Sequence, residues 1–341
     1  VKTVINELGA TIDARRQAIR AGTDSPGAVV ENAGAIISTE GRALQLRSFG
    51  ATVINTGDLI GGEEVVEARG GFYLENRGTI RLIDPSIEDE DAVQFAGGEV
   101  QNHGSIIGSD DGIDLDEGLI VNHVGGEIIS SAPDANDNGG IDIDEVYDDG
   151  VSPERTPTAV TIINDGTIEG PKAINTDVAA ISVLNLTNRG ILRGRGGTAI
   201  DLAPDMDDSV VTISGASEIY GDILFGGGDD TVNIAGITSG LLSTGLFDGG
   251  LGVDTVTFLF ALSDFDTFGV VGDQVDLSFL SHGDVISGSF VNFENWTVAG
   301  QNFTAASLSA AINSVAAVPL PASLPLMFLG FGGLGLLRRR R

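Results

Sequence analysis

Cysteine is absent from this chain of 341 residues, and positive charge is scarce, since 18 lysines and arginines stand against 49 aspartates and glutamates. Without cysteine no disulfide can form, so the core must hold the fold together. The absence of disulfides is compatible with export. The formal net charge of −31 argues against a nucleic-acid partner, because recognition of phosphates requires a basic surface.

Apolar residues nevertheless make up 42% of the chain. That fraction is sufficient for an ordered core, so the acidity does not indicate a disordered protein. The excess of carboxylates repels itself, and bound divalent cations would reduce this repulsion. The composition therefore favours an ordered, acidic protein.

A short phrase recurs along the sequence: an asparagine, one variable residue, a glycine and then an aliphatic residue. Successive asparagines are separated by 20 to 26 residues, except for one gap of 42 that holds either two periods or one long insertion. Clear copies begin at Asn32, Asn55, Asn76, Asn102, Asn164 and Asn188, and looser copies begin at Asn6 and Asn122. A period of this length indicates one supersecondary unit that is copied and stacked.

The unit is predicted to consist of short β-strands. β-branched runs such as residues 160–163 precede the phrase, others such as residues 106–107 follow it, and a third alternating run such as residues 113–115 precedes the next copy. Two or three strands per period predict an all-β fold, a single-stranded right-handed parallel β-helix or β-solenoid. A regular leucine pattern is missing, and 49 glycines argue against helical repeats.

The phrase has a structural explanation, so its asparagines are not predicted to be catalytic. Glycine is expected to supply a positive φ at the corner of each coil, and asparagine tolerates that region and bonds to its own backbone. Asparagines at the same place in successive coils are also expected to form an amide ladder.

Four regions follow from this pattern. Residues 1–221 carry the repeats, with an acidic insertion near 132–157, and residues 222–300 continue the solenoid with Gly/Asp turns and aromatic capping strands. Residues 301–317 form a linker with a short helix, in which Leu308, Ile312 and Val315 share one face, and residues 318–341 form a hydrophobic tail. A degenerate copy of the repeat stands at the start without a hydrophobic leader before it, so the sequence is expected to start inside a longer precursor.

One calcium-loop motif lies in the acidic insertion. It matches the twelve-residue spacing of oxygen ligands that Ca²⁺ prefers, with Gly139 at the sixth position, although neither flank is predicted to be helical. The candidate ligands are Asp134, Asn136, Asn138, Asp142 and Glu145. The alternative is that residues 141–145 are simply the strand of another coil.

Two glycine-aspartate turns form the second candidate. The stretch from Gly249 fits a nonapeptide calcium repeat, and that from Gly226 is a shorter relative, so Asp229, Asp230 and Asp254 are candidate ligands. Two copies are few for a calcium roll, and the alternative is a continued β-helix with Gly-Asp turns.

An enzyme is the alternative class, since parallel β-helices also carry polysaccharide lyases and hydrolases. Such chemistry needs a basic residue beside carboxylates, or a convergent carboxylate pair. His103 and His123 occupy the variable position of the phrase and are explained by the turn. Asp114, Asp142 and Asp201 recur at matching strand positions, which is more typical of a solvated acidic face.

The last 24 residues have three parts: a proline-containing motif, a glycine-rich apolar segment at residues 326–337 and an arginine cluster. The motif is Val318, Pro319, Leu320, Pro321 and Ala322, and the cluster is Arg338, Arg339, Arg340 and Arg341. This tail resembles the VPLPA-CTERM variant of the PEP-CTERM sorting signals of Gram-negative bacteria. The resemblance implies export, transient membrane insertion through the tail and recognition by an exosortase, a membrane transpeptidase, often in bacteria that make exopolysaccharide.

The repeat region resembles the passenger domains of autotransporter-type adhesins, although no carboxy-terminal barrel pattern follows it. Together these features predict a non-enzymatic structural or adhesive β-solenoid, delivered to the cell surface or extracellular matrix. It would bind Ca²⁺ and associate with extracellular polysaccharide. A polysaccharide lyase or glycoside hydrolase on the same scaffold is the alternative.

Overall fold

The computed structural model describes residues 2–84, 90–133, 138–144, 158–176, 182–202, 208–238 and 242–316. Short strands stack in parallel and form a β-solenoid of about nine turns, which confirms the predicted fold class. Each coil contributes strands to three faces.

The first face contains the strands that end near the repeat asparagines and, in the last coils, the strands that continue their stack. These strands pair in parallel from one coil to the next, for example Asn76 with Asn102 and Asn102 with Asn122. They are β1 (Thr3–Asn6), β4 (Val29–Asn32), β7 (Thr52–Asn55), β10 (Phe72–Asn76), β13 (Gly98–Asn102), β16 (Gly118–Asn122), β19 (Thr158–Asn164), β22 (Ser182–Asn188), β24 (Val210–Gly215), β26 (Thr231–Ile237), β28 (Thr255–Phe258) and β32 (Asn295–Val298).

The second face follows the corner made by the Asn-x-Gly phrase. Its strands are β2 (Thr11–Ala14), β5 (Ala35–Ser38), β8 (Asp58–Gly61), β11 (Thr79–Leu82), β14 (Ser105–Gly108), β17 (Glu127–Ser130) and β20 (Thr167–Gly170). The third face contains β3 (Ile19–Ala21), β6 (Leu44–Leu46), β9 (Val66–Ala68), β12 (Val93–Phe95), β15 (Ile113–Leu115), β18 (Gly139–Ile143), β21 (Lys172–Thr176) and β27 (Leu246–Asp248). The long strands β23 (Ile191–Asp201) and β25 (Glu218–Leu224) run across both faces.

The asparagines of the phrase form a buried amide ladder, as predicted. In each coil the Nδ2 atom donates to the Oδ1 atom of the asparagine one coil further on, at 2.8 or 2.9 Å, from Asn6 to Asn188. Asn188 ends the ladder by donating to the hydroxyl of Ser217 at 2.6 Å. The side chains are 0 to 4% exposed, so the ladder satisfies amides that water does not reach.

The predicted reason for the glycine of the phrase is wrong. The clear copies, Gly34, Gly57, Gly78, Gly104, Gly166 and Gly190, are not among the glycines with positive φ. Instead, a Cβ atom on Gly78 would overlap the carbonyl oxygen of Gly57 in the preceding coil, and the other copies meet a carbonyl oxygen in the same way. Glycine is therefore required for the close approach of stacked backbones.

Aliphatic side chains from all three faces fill the interior. Val100, Ile106 and Ile113 represent the three faces of one coil, and each is 0% exposed. Equivalent residues stack in register above and below, for example Ile106 on Ile128. The core is thus a column of ladders, which follows from the alternation of inward and outward residues along each strand.

The carboxyl-terminal end is closed by aromatic residues and antiparallel strands. β29 (Phe265–Val271), β30 (Gln274–Ser281) and β31 (Asp284–Val291) form an antiparallel sheet that joins β27, a short 3₁₀ turn (Leu262–Asp264) precedes it, and β33 (Gln301–Phe303) pairs with β32. Trp296 is 1% exposed and its ring lies 5.6 Å from that of Phe290, between ring centroids. Such a cap shields the last coil, as terminal repeats must.

The helix α1 (Ala305–Ala316) lies where the sequence predicts a short helix. Leu308 and Ile312 are buried, whereas Val315 is exposed and does not share their contact with the core. The sorting motif and arginine cluster at residues 318–341 lie outside the described residues. Within the described part, no helix is long and apolar enough to cross a membrane.

Candidate functional site

A row of polar side chains runs along the outer side of the third face. Gln94, Asp114, Asp142, Asn175 and Asp201 stand in register on successive coils. Asp114 and Asp142 are only 8% and 7% exposed, so the expectation of a solvated acidic face is wrong for these two residues. Amides flank this pair of neighbouring carboxylates: Gln94 donates to Asp114 at 3.1 Å, and Asn175 donates to Asp142 at 2.9 Å.

A lysine joins the carboxyl-terminal part of this row. The Nζ atom of Lys172 lies 2.8 Å from Oδ2 of Asp201 and donates to Oδ1 of Asn175 at the same distance. Both charged side chains are less than one-fifth exposed. The row therefore contains one mixed cluster of acid, amide and base midway along the solenoid.

Three carboxylates meet at the corner between the second and third faces. One oxygen from each of Asp91, Asp110 and Asp111 lies within 4.8 Å of the others. Asp91 is two residues before β12 and Asp111 is two residues before β15, so stacking of the coils places one above the other. Asp91 and Asp111 are 8% and 6% exposed.

Backbone amides hold two of these carboxylates in place. The N–H of Asp111 donates to Oδ1 of Asp91 at 3.2 Å, and the N–H of Gly139, one coil further on, donates to Oδ1 of Asp111 at 2.6 Å. In addition, the carbonyl of Glu90 accepts from the N–H groups of Ser109 and Asp110. The corner is thus built across three successive coils.

Burial and mutual repulsion act on this cluster. Burial raises the pKa of Asp91 well above its ordinary value, and the charge of Asp110 raises it further. Burial raises the pKa of Asp111 in the same direction, with added contributions from Asp142 and Asp91. Burial and the charge of Glu64 raise the pKa of Glu90 to about 7. The corner therefore disfavours three adjacent negative charges unless a positive charge accompanies them.

The calcium motif predicted from the sequence, residues 134–145, includes β18, which pairs with β15 of the preceding coil. Asp134, Asn136 and Glu145 lie outside the described residues. Asn138 is half-buried and its carbonyl accepts from the N–H of Lys172, while Asp142 belongs to the polar row. Calcium in this loop stays a prediction.

The glycine-aspartate turns form a ladder of carboxylates and backbone amides. Asp230 accepts from the N–H of Ser209 at 2.7 Å, Asp254 accepts from the N–H of Asp230 at 2.8 Å, and Glu294 accepts from the N–H of Asp254 at 2.9 Å. Asp229 accepts from the N–H of Val253. Stacked Gly-Asp turns of this kind occur in a continued β-helix, and calcium binding there stays a prediction.

One face of the carboxyl-terminal coils carries no charged residue in its outer rows. We call the outward side chains of β22, β24, β26, β28 and β32 the uncharged face. Its two in-register rows are Asn185, Val210, Thr231, Thr255 and Asn295, and Thr187, Thr212, Asn233, Thr257 and Thr297. The residues are half-buried apart from the exposed Asn295. Nine of the ten carry a hydroxyl or amide, and the rows repeat at the strand spacing of about 4.8 Å.

The two histidines of the phrase stack on each other. The rings of His103 and His123 are 3.8 Å apart and nearly parallel, and Nε2 of His123 lies 2.7 Å from Oε1 of Gln101. Burial and the neighbouring His123 lower the pKa of His103. Their place on successive coils agrees with the turn-based explanation of these residues.

Sequence reasoning missed the acidic corner and the uncharged face. Aligning the repeats on the third strand would have stacked Asp91 on Asp111, because each stands two residues before that strand. Likewise, Thr231-Val-Asn233 and Thr255-Val-Thr257 alternate polar and buried residues, which indicates a polar outer face. The aligned repeats therefore contained a signal for both.

Comparisons with family models, with curated proteins and with solved structures gave no match. The fold and the local geometry are therefore the basis for a functional proposal.

Proposed function

We propose that the chain is an exported structural or adhesive β-solenoid that binds extracellular polysaccharide at the cell surface or in the matrix of a Gram-negative bacterium. The tail motif supports the route: export, transient membrane insertion and recognition by an exosortase. Ca²⁺ is proposed as a ligand of the acidic regions.

The uncharged face is the observation that carries the proposal. In a chain with a net charge of −31, ten successive outer positions across five strands have no charge. Repulsion would keep a charged face away from an acidic polymer, whereas hydroxyls and amides form hydrogen bonds with sugar hydroxyls irrespective of polymer charge. β-branched threonines are also stiff at χ1, so little side-chain entropy is lost on binding.

The test removes hydroxyls from this face without changing charge or strand propensity. The double variant Thr231→Val/Thr257→Val is expected to bind the exopolysaccharide of the producing bacterium at least tenfold more weakly by isothermal titration calorimetry. The matched control is Thr11→Val/Thr79→Val on the second face, which is expected to bind as the wild type does. Equal affinity of all three proteins would disprove the assignment of the face.

A carbohydrate-active enzyme is the second candidate, and the cluster around Lys172 is the observation that favours it. Lys172 contacts Asp201, and Asp142 lies in the same polar row as Asp201. Lyase chemistry needs a basic residue beside carboxylates of this kind. If the wild type released unsaturated sugar ends from the polysaccharide and Lys172→Met did not, the chain would be a lyase and the adhesive function would be rejected. We expect no release above the blank.

A further inference from the structure

The corner of Asp91, Asp110 and Asp111 has the donor set of a hard cation. Ca²⁺ takes six to eight oxygen ligands at about 2.3–2.6 Å. Carboxylate oxygens that lie within 4.8 Å of one another are close enough to contact one such ion together. In the described part of the chain, neither Asp91 nor Asp111 forms an ion pair with lysine or arginine.

A second, independent observation is a buried oxygen on Asp114. The Asp114 side chain is 8% exposed, its Oδ2 atom accepts from Gln94, and its Oδ1 atom has no hydrogen-bond partner among the described residues. Among the neighbouring charges, that of Asp91 has the largest effect on Asp114, so the two carboxylates are neighbours. A buried carboxylate oxygen without a donor is costly, and a cation or one of its water ligands would satisfy it.

The backbone presets the corner before any ion binds. One oxygen of Asp91 and one of Asp111 are each fixed by an amide of the following coil, which leaves the second oxygen of each carboxylate for a ligand. Because the donors come from successive coils, an ion would link them directly and offset the repulsion between them.

We propose that Asp91, Asp110 and Asp111 bind a divalent cation, Ca²⁺ in the first place, with Asp114 contributing through a water ligand of the ion, and that the ion links neighbouring coils. This site is distinct from the calcium motifs predicted from the sequence. It also lies away from the uncharged face, so it does not depend on polysaccharide binding.

The experiment compares isosteric variants of the full chain at pH 7 after removal of metal with a chelator. Wild type is expected to bind Ca²⁺ by calorimetry, and its melting temperature is expected to rise with Ca²⁺ concentration. Asp91→Asn/Asp111→Asn is expected to bind Ca²⁺ at this corner at least tenfold more weakly. Its melting temperature is expected to rise less with Ca²⁺ concentration than that of wild type. Asp13→Asn/Asp24→Asn, which removes the same charge from two exposed aspartates, is expected to behave as wild type.

The outcomes separate the sites. The proposal would be overturned if Asp91→Asn/Asp111→Asn bound Ca²⁺ as wild type does, or if wild type bound no stoichiometric Ca²⁺. It would also be overturned if binding were lost only in Asp134→Asn/Glu145→Gln or in Asp229→Asn/Asp254→Asn. Far-ultraviolet circular dichroism without metal checks the fold, which should persist because the substitutions relieve repulsion. Polysaccharide binding measured in chelator reports on the uncharged face alone.

Discussion

Each asparagine of the ladder from Asn32 to Asn188 is both a donor and an acceptor. The Oδ1 atom of Asn102 accepts from Asn76, and its Nδ2 atom donates to Asn122, both at 2.9 Å. The same Nδ2 atom also lies 3.1 Å from the carbonyl of Gly104 and 3.0 Å from that of Glu127. One amide therefore satisfies groups in three coils.

Asn102→Ala is expected to lower the free energy of unfolding by about 3 kcal/mol, since it leaves buried groups on both neighbours without partners. Asn295→Ala, at an exposed asparagine, is expected to change it by less than about 0.5 kcal/mol. Urea denaturation measures both. Equal effects of the two substitutions would contradict the role of the ladder.

Glycine is required in the phrase because the backbones of successive coils lie too close together for a Cβ atom. Gly78→Ala is expected to cost about 3 kcal/mol or more, because its Cβ would overlap the Gly57 carbonyl oxygen. Gly269→Ala is the control, since its nearest neighbour would be the Asp276 carbonyl oxygen at 3.8 Å. Denaturation midpoints and soluble yield report the difference, and a stable Gly78→Ala protein would refute the clearance argument.

Among the structural elements, the Gly-Asp turns bury carboxylates that accept backbone hydrogen bonds, and this burial makes their ionisation less favourable. Burial raises the pKa of Asp254 to about 6, although the N–H of Asp230 lowers it. The unfolded carboxyl ionises near pH 3.9. Between these values the unfolded chain loses its proton while the folded one keeps it, so stability falls as the pH rises from about 4 to about 6 and then levels off.

Asp254→Asn is therefore expected to raise the melting temperature relative to wild type by an amount that grows between about pH 4 and pH 6. Asp276→Asn should show the opposite sign. Hydrogen bonds from Ser289 and Gln274 lower the pKa of Asp276, so wild type is the more stable protein above about pH 4 and the two converge in acid. Thermal melts across this pH range check both signs, and a flat difference for Asp254→Asn would contradict the assignment.

At the scale of the whole molecule, a solenoid depends on how its ends are closed. Trp296 packs among Phe258, Phe268 and Phe290, and its Nε1 atom donates to the carbonyl of Phe293 at 3.2 Å. The antiparallel pairs of β29 to β31 and of β32 with β33 interrupt the parallel stacking at this end of the described solenoid.

Trp296→Ala is expected to cost about 3–5 kcal/mol and to promote aggregation, because the last coil would be uncovered. Phe49→Ala, at an aromatic residue that is 71% exposed, should cost less than about 1 kcal/mol. Denaturation and light scattering measure the two effects. A soluble Trp296→Ala protein of wild-type stability would show that the aromatic cap is dispensable.

The solenoid follows from the repeat alone, because its equivalent positions can be aligned without coordinates. The spacing of Asn32, Asn55, Asn76 and Asn102 implies stacked coils, and equal positions in stacked coils must meet, which is why the amide ladder was predictable. The terminal aromatics at Phe290 and Trp296 likewise indicated a closed end.

The environment of each stacked position, in contrast, depends on how the coils pack against one another. Backbone clearance, and not a positive φ, explains Gly57 and Gly78, because the spacing between coils is a property of the column. Asp114 and Asp142 are buried and not solvated, and Asp91 and Asp111 meet across two coils although neither belongs to a calcium motif. Burial and distance across coils arise from the packing of several chain segments, and these quantities set the charge and chemistry of each site.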